Sequence, residues 1–168
     1  MIPYLDIRME FFMKKWLAGI ILVLLVFIDQ ITKYIAKLCL EGQKPCSVFP
    51  NIFEFCYLEG GNTGAAFGLF RGNTFLLSVI SLVVFLVIVG FFLYISKKPG
   101  NKWLSFCLVL MAAGAFGNWI DRFFRGYVID FLYFKLIDFP IFNVADCYVT
   151  ISAILLILIV SFSKEEEK

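Results

Sequence analysis

Long stretches without a charged side chain dominate this 168-residue sequence and restrict the folds that it can adopt. Residues 74–96 form one uncharged stretch of 23 residues, 103–120 form one of 18, and 147–163 form one of 17. A fourth apolar segment, residues 16–36, contains only two charges. A helix needs about 20 apolar residues to cross the roughly 30 Å hydrocarbon core of a bilayer. We therefore predict an α-helical integral membrane protein with four transmembrane helices.

The composition agrees with a membrane protein. Hydrophobic residues make up 61% of the chain, charged residues only 17%, and the mean hydropathy is +0.90. The net charge of +2 is spread along the sequence without a basic cluster. A nucleic-acid partner is therefore not expected.

The charge distribution predicts an orientation. Four spans place both termini and the connection 97–102 on one side, and this connection contains three lysines in six residues. Positive charges beside span ends favour the cytoplasm, so we predict cytoplasmic termini. Residues 13–163 form a single membrane domain with a cytoplasmic tail, 164–168. Residues 1–12 precede a typical membrane-protein start and form an N-terminal extension to which we assign no role.

The two segments predicted on the outer side, 38–73 and 121–146, are rich in aromatic residues. Residues 51–59 alternate partially between apolar and polar side chains, which is typical of a β-strand. Residues 127–142 are similar but are interrupted by Pro140. We predict a small antiparallel β-sheet on the outer face of the membrane.

The five cysteines do not indicate a metal site, because the chain has no CxxC motif and no histidine. Cys39, Cys46 and Cys56 fall on the predicted outer side, where one disulfide can form. Cys107 and Cys147 are interpreted as small buried hydrophobic residues.

Two aspartates beside the apolar spans are the strongest candidates for catalysis. Asp130 lies between Tyr-Val-Ile and Phe-Leu-Tyr-Phe, a setting whose low polarity favours a raised carboxyl pKa. Asp146 directly precedes the fourth predicted span and can alternatively be its N-cap. Asn143 lies three residues before it. Two carboxyls brought together do not both ionise easily, so one can act as a base and the other as an acid.

The absence of histidine narrows the range of possible catalytic mechanisms. Ser-His and Cys-His nucleophilic catalysis and the HExxH zinc site all require it, and the chain also lacks a GxxxxGK[ST] phosphate loop. A carboxylate pair that activates water, without a metal or another cofactor, is the hydrolytic design that remains.

Other polar residues recur near the ends of the predicted spans. Asp29 and Lys33 are an i, i+4 pair, for which structural pairing is the favoured interpretation. Asn62 and Gly64 lie in a small-residue loop that can present an amide and backbone N–H groups.

The end of the third predicted span has four such residues on one helical face. Gly114, Asn118, Asp121 and Arg122 follow at i, i+4, i+7 and i+8. The glycine permits the close approach of another helix. For Asp121 and Arg122 we favour a helix end closed by polar residues and a local ion pair.

Five segments together resemble the lipoprotein signal peptidase (signal peptidase II) family, the membrane aspartyl proteases of bacteria. The resemblance covers about residues 13–163. In chain order the segments are Asp29-Gln-Ile-Thr-Lys33, Asn62-Thr-Gly-Ala-Ala-Phe-Gly68, Gly114-Ala-Phe-Gly-Asn-Trp-Ile-Asp-Arg122, Val128-Ile-Asp-Phe131 and Phe142-Asn-Val-Ala-Asp146.

The resemblance implies a catalytic dyad of Asp130 and Asp146 in a monomeric enzyme of the bacterial cytoplasmic (inner) membrane, surrounded by membrane lipids. It implies cleavage of prolipoproteins on the N-terminal side of a cysteine that carries a diacylglyceryl group, near the outer face. The residues implied to support the site or contact the substrate are Asp29, Lys33, Asn62, Gly64, Gly114, Asn118, Asp121, Arg122 and Asn143.

Two other functional classes fit the apolar spans less well. A proton-coupled transporter or channel subunit would use buried aspartates as a relay, but such a relay requires carboxylates near the middle of the bilayer. Three of the four candidate aspartates lie at span ends or in loops, and no inverted repeat is visible. A purely structural scaffold would not explain the polar motifs.

Overall fold

Four long helices form the body of the protein. The computed structural model describes residues 3–64, 70, 72–96 and 102–163, with the side chains of those between residues 15 and 162. All four helices are long and apolar enough to cross a membrane, which confirms the predicted fold class. They are α1 (Pro3–Leu40), α2 (Thr74–Ile95), α3 (Lys102–Arg125) and α4 (Val144–Ser163).

Two of these helices differ from the predicted spans in a way that affects the candidate site. α3 continues past residue 120 to Arg125, and α4 begins at Val144 rather than at residue 147. Asp121 and Asp146 therefore lie within helices, not in the connection between them. α1 runs without a break through the predicted boundary at residue 13, and the predicted tail 164–168 lies outside the described residues.

α3 is the central helix and packs against the other three. Small residues allow this close packing: a Cβ atom at Gly114 would collide with the carbonyl oxygen of Ala145 in α4. A Cβ atom at Gly117 would lie 2.5 Å from Oδ2 of Asp29 in α1. Further along both helices Lys33 contacts Asp121, so α1 runs parallel to α3. Gly114 also faces Val149 whereas Gly117 faces Ala145, so α4 runs antiparallel to α3.

A three-stranded antiparallel sheet caps the end of the bundle where α1 and α3 finish, which we call the sheet end. Its strands are β1 (Cys46–Phe49), β2 (Phe53–Phe55) and β3 (Leu132–Phe134), in the order β1-β2-β3. The predicted antiparallel sheet is therefore confirmed.

The strands themselves are shorter than predicted. β2 is only the centre of the predicted strand 51–59, because Asn51 has a φ of 58° and turns the chain back from β1. β1 was not predicted, since its four residues are all exposed and show no alternation. In the segment 127–142, only β3 is a strand, and a short 3₁₀-helix follows it at Lys135–Ile137.

All five cysteines lie in the described residues, and all are free thiols, so the possible disulfide on the sheet side is not formed. Cys107 is buried, as predicted. Cys147 is half-buried rather than buried and lines the cavity described below.

Candidate active site

Asp130 lies in the chain segment that leaves α3 and enters the sheet. Its side chain is only 1% exposed, and each carboxylate oxygen accepts one hydrogen bond from an amide. Asn62 Nδ2 donates to Oδ2 at 2.8 Å, and Asn143 Nδ2 donates to Oδ1 at 2.6 Å. The carboxyl is therefore fixed by two neutral donors from separate parts of the chain.

Asp146 is held at the start of α4 by a reciprocal pair of hydrogen bonds with Asn143. The backbone N–H of Asn143 donates to Asp146 Oδ2 at 3.1 Å, and the backbone N–H of Asp146 donates to Asn143 Oδ1 at 3.0 Å. This arrangement is a capping box in which Asn143 is the N-cap and Asp146 is the third helical residue. The interpretation of Asp146 as the N-cap is therefore wrong.

Asn118 on α3 connects the two carboxylates to the rest of the bundle. Its Nδ2 donates to Asp146 Oδ1 at 2.8 Å, while its Oδ1 accepts from Asn143 Nδ2 at 3.2 Å. Because Asn143 also donates to Asp130, a continuous chain of amides joins Asp130 to Asp146. The two predicted catalytic residues thus share a single hydrogen-bond network.

Both aspartates line a cavity of about 1090 Å³ at the sheet end. One part of its wall is polar and includes Asn62, Gly64 and Arg122. The other part is largely apolar and is formed by residues 139–142 and 149–151. A cavity of this kind, with few polar groups converging on an apolar space, is typical of a binding site.

The electrostatic environment of Asp130 favours its protonated form. Burial, followed by the negative charge of Asp146, raises the pKa of Asp130 from 3.8 to about 6. The hydrogen bonds from Asn62 and Asn143 and the charge of Lys33 oppose this rise. A carboxyl near the midpoint of its titration can exchange a proton readily at physiological pH.

Behind the cavity lies a cluster of fully buried charges, which we call the Lys33 cluster: Asp29, Lys33 and Asp121. Lys33 Nζ is 2.9 Å from Asp29 Oδ2 and 2.9 Å from Asp121 Oδ2. The predicted pairing of Asp29 with Lys33 is confirmed. Lys33 also donates to Asn118 Oδ1 at 3.0 Å, which orients the Asn118 amide so that its Nδ2 points to Asp146.

The Lys33 cluster also anchors the backbone on both sides of the cavity. Asp29 Oδ1 accepts the N–H of Ala145 at 2.9 Å, and Asp121 Oδ2 accepts the N–H of Ile129 at 3.3 Å. Ala145 precedes Asp146 and Ile129 precedes Asp130. The cluster therefore fixes the residue next to each candidate catalytic aspartate.

The predicted local ion pair between Asp121 and Arg122 is wrong. Asp121 pairs with Lys33 and with Arg125, one helical turn further along α3. Arg122 points toward the cavity instead, where Nη2 donates to Gly64 O at 3.1 Å. Its buried Nε has no hydrogen-bond partner among the described residues. Successive residues of a helix point about 100° apart, which explains the separation.

The structure thus brings the polar residues predicted for the site to one end of the bundle. Some line the cavity, and others form the Lys33 cluster behind it. Gly114 does not reach the cavity and acts through helix packing. Two residues that contact Asp121 from outside the buried cluster, the half-buried Gln30 and the exposed Arg125, were not predicted. The i, i+4 spacing of Asp121 and Arg125 was the available signal. Across the described residues, no group of three or more metal-ligand side chains is arranged to bind an ion.

Known proteins share this architecture. A bacterial membrane enzyme solved by the in meso method at 2.3 Å resolution superimposes with a TM-score of 0.76. It is 32% identical, and the match covers 90% of this chain and 91% of that one. A second bacterial membrane enzyme, solved at 1.9 Å, gives a TM-score of 0.72 at 33% identity, with 85% and 91% covered.

Sequence comparisons identify the protein family. The lipoprotein signal peptidase of Microcystis aeruginosa is 40% identical over 86% of this chain and 91% of its own length. That of Streptococcus pneumoniae is 37% identical over 91% and 96%, respectively. A family model described as signal peptidase (SPase) II matches residues 21–162. The four membrane-spanning helices and this match together lead to one conclusion: the chain belongs to the signal peptidase II family of membrane proteases.

Proposed function

We propose that this chain is an aspartyl endopeptidase that removes the signal peptide from diacylglyceryl-modified prolipoproteins. Cleavage occurs on the N-terminal side of the lipidated cysteine. The observation that carries this proposal is the pair Asp130 and Asp146, which line one cavity and share one amide network. Relatives named lipoprotein signal peptidase support the substrate class.

The proposed reaction needs one protonated and one ionised aspartate. The ionised carboxylate takes a proton from a water molecule, whose oxygen attacks the scissile carbonyl carbon. The protonated carboxyl donates its proton to the carbonyl oxygen, which gives a neutral gem-diol. Because burial and the neighbouring charge of Asp146 raise the pKa of Asp130, we assign Asp130 as the proton donor and Asp146 as the base.

Breakdown of the gem-diol restores the dyad. Asp130, now ionised, takes a proton from one hydroxyl, and Asp146 donates the proton it gained from water to the cysteine nitrogen. The carbon–nitrogen bond breaks, which releases the signal peptide with a new carboxyl terminus and the lipoprotein with a free amine. Both aspartates return to their starting protonation states, and every proton is accounted for.

The lining of the cavity fits a substrate with two apolar parts. A prolipoprotein presents a hydrophobic signal helix and two acyl chains, both of which reside in the bilayer. The apolar wall formed by residues 139–142 and 149–151 can contact them, while Asn62 and Arg122 face the peptide. Water exclusion by such a substrate would strengthen the electrostatic interactions at the dyad.

The proposed location is the bacterial cytoplasmic membrane, with the termini in the cytoplasm and the sheet end at the outer face. The three lysines between residues 97 and 102 support this orientation. A monomer suffices for the reaction, since one chain supplies both aspartates.

The direct test replaces each aspartate with asparagine and measures cleavage of a lipidated precursor in liposomes. Asp130→Asn and Asp146→Asn should each lower kcat by at least about 10²-fold, because each removes one proton-transfer group. Asp138→Asn is the matched control and should keep full activity, since Asp138 is an exposed residue at the end of the 3₁₀-helix and does not line the cavity.

Two further measurements test the substrate and the chemistry. A precursor without the diacylglyceryl group should be cleaved far more slowly than the lipidated one, and EDTA should leave the rate unchanged. Normal turnover by either aspartate variant would refute the dyad, and equal cleavage of both precursors would refute the substrate assignment.

A further inference from the structure

Asn62, which donates a hydrogen bond to Asp130, lies in a tight turn that packs against the segment after α3. Asn62 and Val128 exchange two backbone hydrogen bonds, both of 2.9 Å, and Leu58 N–H donates to Asp130 O at 3.1 Å. Gly61 N–H closes the turn by donating to Leu58 O at 2.9 Å. The position of the Asn62 amide therefore depends on how this turn contacts residues 127–130.

Gly61 is in direct contact with Tyr127, the residue before Val128. A Cβ atom at Gly61 would overlap the Tyr127 ring, lying 2.6 Å from Cγ and 2.8 Å from Cε2 and in contact with Cδ2. Gly61 also has a φ of +68°, a conformation that side chains other than glycine rarely adopt. The neighbouring Gly60 has a similar φ of +80°, but nothing lies within 4 Å of its Cβ position.

The Tyr127 ring is fixed at both of its ends. Its backbone is next to the Asn62–Val128 pair, and its hydroxyl accepts a hydrogen bond of 2.9 Å from Lys37 Nζ at the end of α1. The ring packs on the buried cluster that contains Tyr57 and Ile129. A collision at Gly61 would therefore displace the turn rather than the ring.

We propose that Gly61 and Tyr127 are positioning residues that hold the Asn62 amide against Asp130 through their mutual contact. This inference rests on the proposed function, because it assigns the contact a role in the chemistry of Asp130. Gly61 lies in the cavity wall and Tyr127 behind it, and only Asn62 donates a hydrogen bond to the carboxylate: Asn62 acts on Asp130, and Gly61 and Tyr127 act on Asn62. No local sequence motif predicts the contact between Gly61 and Tyr127, since the two residues are 66 positions apart.

The central experiment compares Gly61→Ala with Gly60→Ala in the full-length protein. Both substitutions place alanine at a positive φ, but only the first adds a collision. Gly61→Ala should lower kcat roughly 10- to 100-fold with little change in KM, since the reacting groups are displaced but the substrate still binds. Gly60→Ala should stay within about twofold of the wild-type kcat, because its side chain meets open space.

A pH profile distinguishes positioning from a general loss of structure. The Asn62 hydrogen bond stabilises the ionised form of Asp130, so its loss raises the pKa of Asp130 further. The limb of the pH–kcat profile that Asp130 controls should then move to higher pH in Gly61→Ala and in Asn62→Ala. The charged groups that face Asp130 are Asp146 of α4, Lys33 of α1 and Arg122 of α3, and none of them is altered.

Coupling with Asn62 completes the test. In an Asn62→Ala background, Gly61→Ala should cause no more than about a twofold further loss, because the amide it displaces is absent. Tyr127→Ala combined with Gly61→Ala should recover part of the lost kcat by making room for the new methyl group. If Gly61→Ala does not fold in detergent, Tyr127→Phe replaces it, with an expected three- to tenfold loss of kcat that also disappears in the Asn62→Ala background.

Equal kcat values for Gly60→Ala and Gly61→Ala, or fully additive losses with Asn62→Ala, would overturn this inference. Such results would leave the proposed function intact provided that Asp130→Asn is inactive. An active Asp130→Asn variant would refute the proposed function itself, whatever the glycine variants show.

Discussion

The two pairs of aspartates near the sheet end have different surroundings. Asp29 and Asp121 share the ammonium group of Lys33, with both carboxylate oxygens 2.9 Å from Nζ. Asp130 and Asp146 instead accept hydrogen bonds from neutral amides, and none of the ion pairs among the described residues includes either of them. Lys33 places a positive charge in direct contact with both carboxylates of the first pair, whereas the second pair has only neutral donors. For this reason the proposed acid–base chemistry is assigned to Asp130 and Asp146.

Removing the Lys33 ammonium group from the first pair should have the largest effect on stability. In Lys33→Met, two carboxylates with no exposure remain buried without their shared counter-charge, so the free energy of unfolding should fall by about 3–5 kcal/mol. Thermal unfolding in detergent measures this loss. The triple variant Asp29→Asn, Lys33→Met, Asp121→Asn should recover much of the stability. A single Lys33→Met variant as stable as the wild type would show that the cluster is not an electrostatic unit.

The second pair should respond to pH rather than to the loss of a cation. The folded protein binds the Asp130 proton more tightly than the unfolded chain, so the contribution of Asp130 to stability is fully present below about pH 4 and is lost as the pH rises through about 6. A rise of the pKa from 3.8 to about 6 corresponds to at most about 3 kcal/mol. Asp130→Asn does not titrate, so its stability relative to the wild type should increase from pH 4 to pH 7.

Thermal unfolding of both proteins across this range measures the effect, and the difference between them removes any pH-independent change from the substitution. A constant difference from pH 4 to pH 7 would mean that Asp130 is not held in an environment that favours its proton.

A smaller substitution can disturb the Lys33 cluster alone. Gly117→Ala places a methyl carbon 2.5 Å from Asp29 Oδ2 and should destabilise the fold by about 1–3 kcal/mol through the forced displacement of that carboxylate. Gly90→Ala in α2 is the matched control, because nothing lies within 4 Å of its Cβ position. It should be neutral or stabilising by up to about 1 kcal/mol. Equal melting temperatures for the two variants would contradict the tight α1–α3 contact.

The sequence predicted the four spans and the polar residues at their ends because both signals are local. Uncharged stretches of the right length identify a membrane helix, and the i, i+4 spacing of Asp29 and Lys33 predicts their pairing. Long-range contacts were not accessible. Asp121 was expected to pair with its neighbour Arg122, yet its partner Lys33 comes from another helix. β1 has no alternation because it lies exposed on the sheet, and Gly61 meets Tyr127 only in the folded chain.

The capping box at the start of α4 limits how the sequence around the active site can change. Asn143 donates a hydrogen bond to Asp130, and Asp146 follows three residues later. The first turn of α4 therefore sets the spacing between the Asn143 amide and the Asp146 carboxylate. A helix turn has a fixed rise and rotation, so this spacing does not depend on the surrounding loops. Insertions or deletions near Phe139 and Pro140, which line the cavity, can reshape its apolar wall. The spacing between Asn143 and Asp146 stays the same.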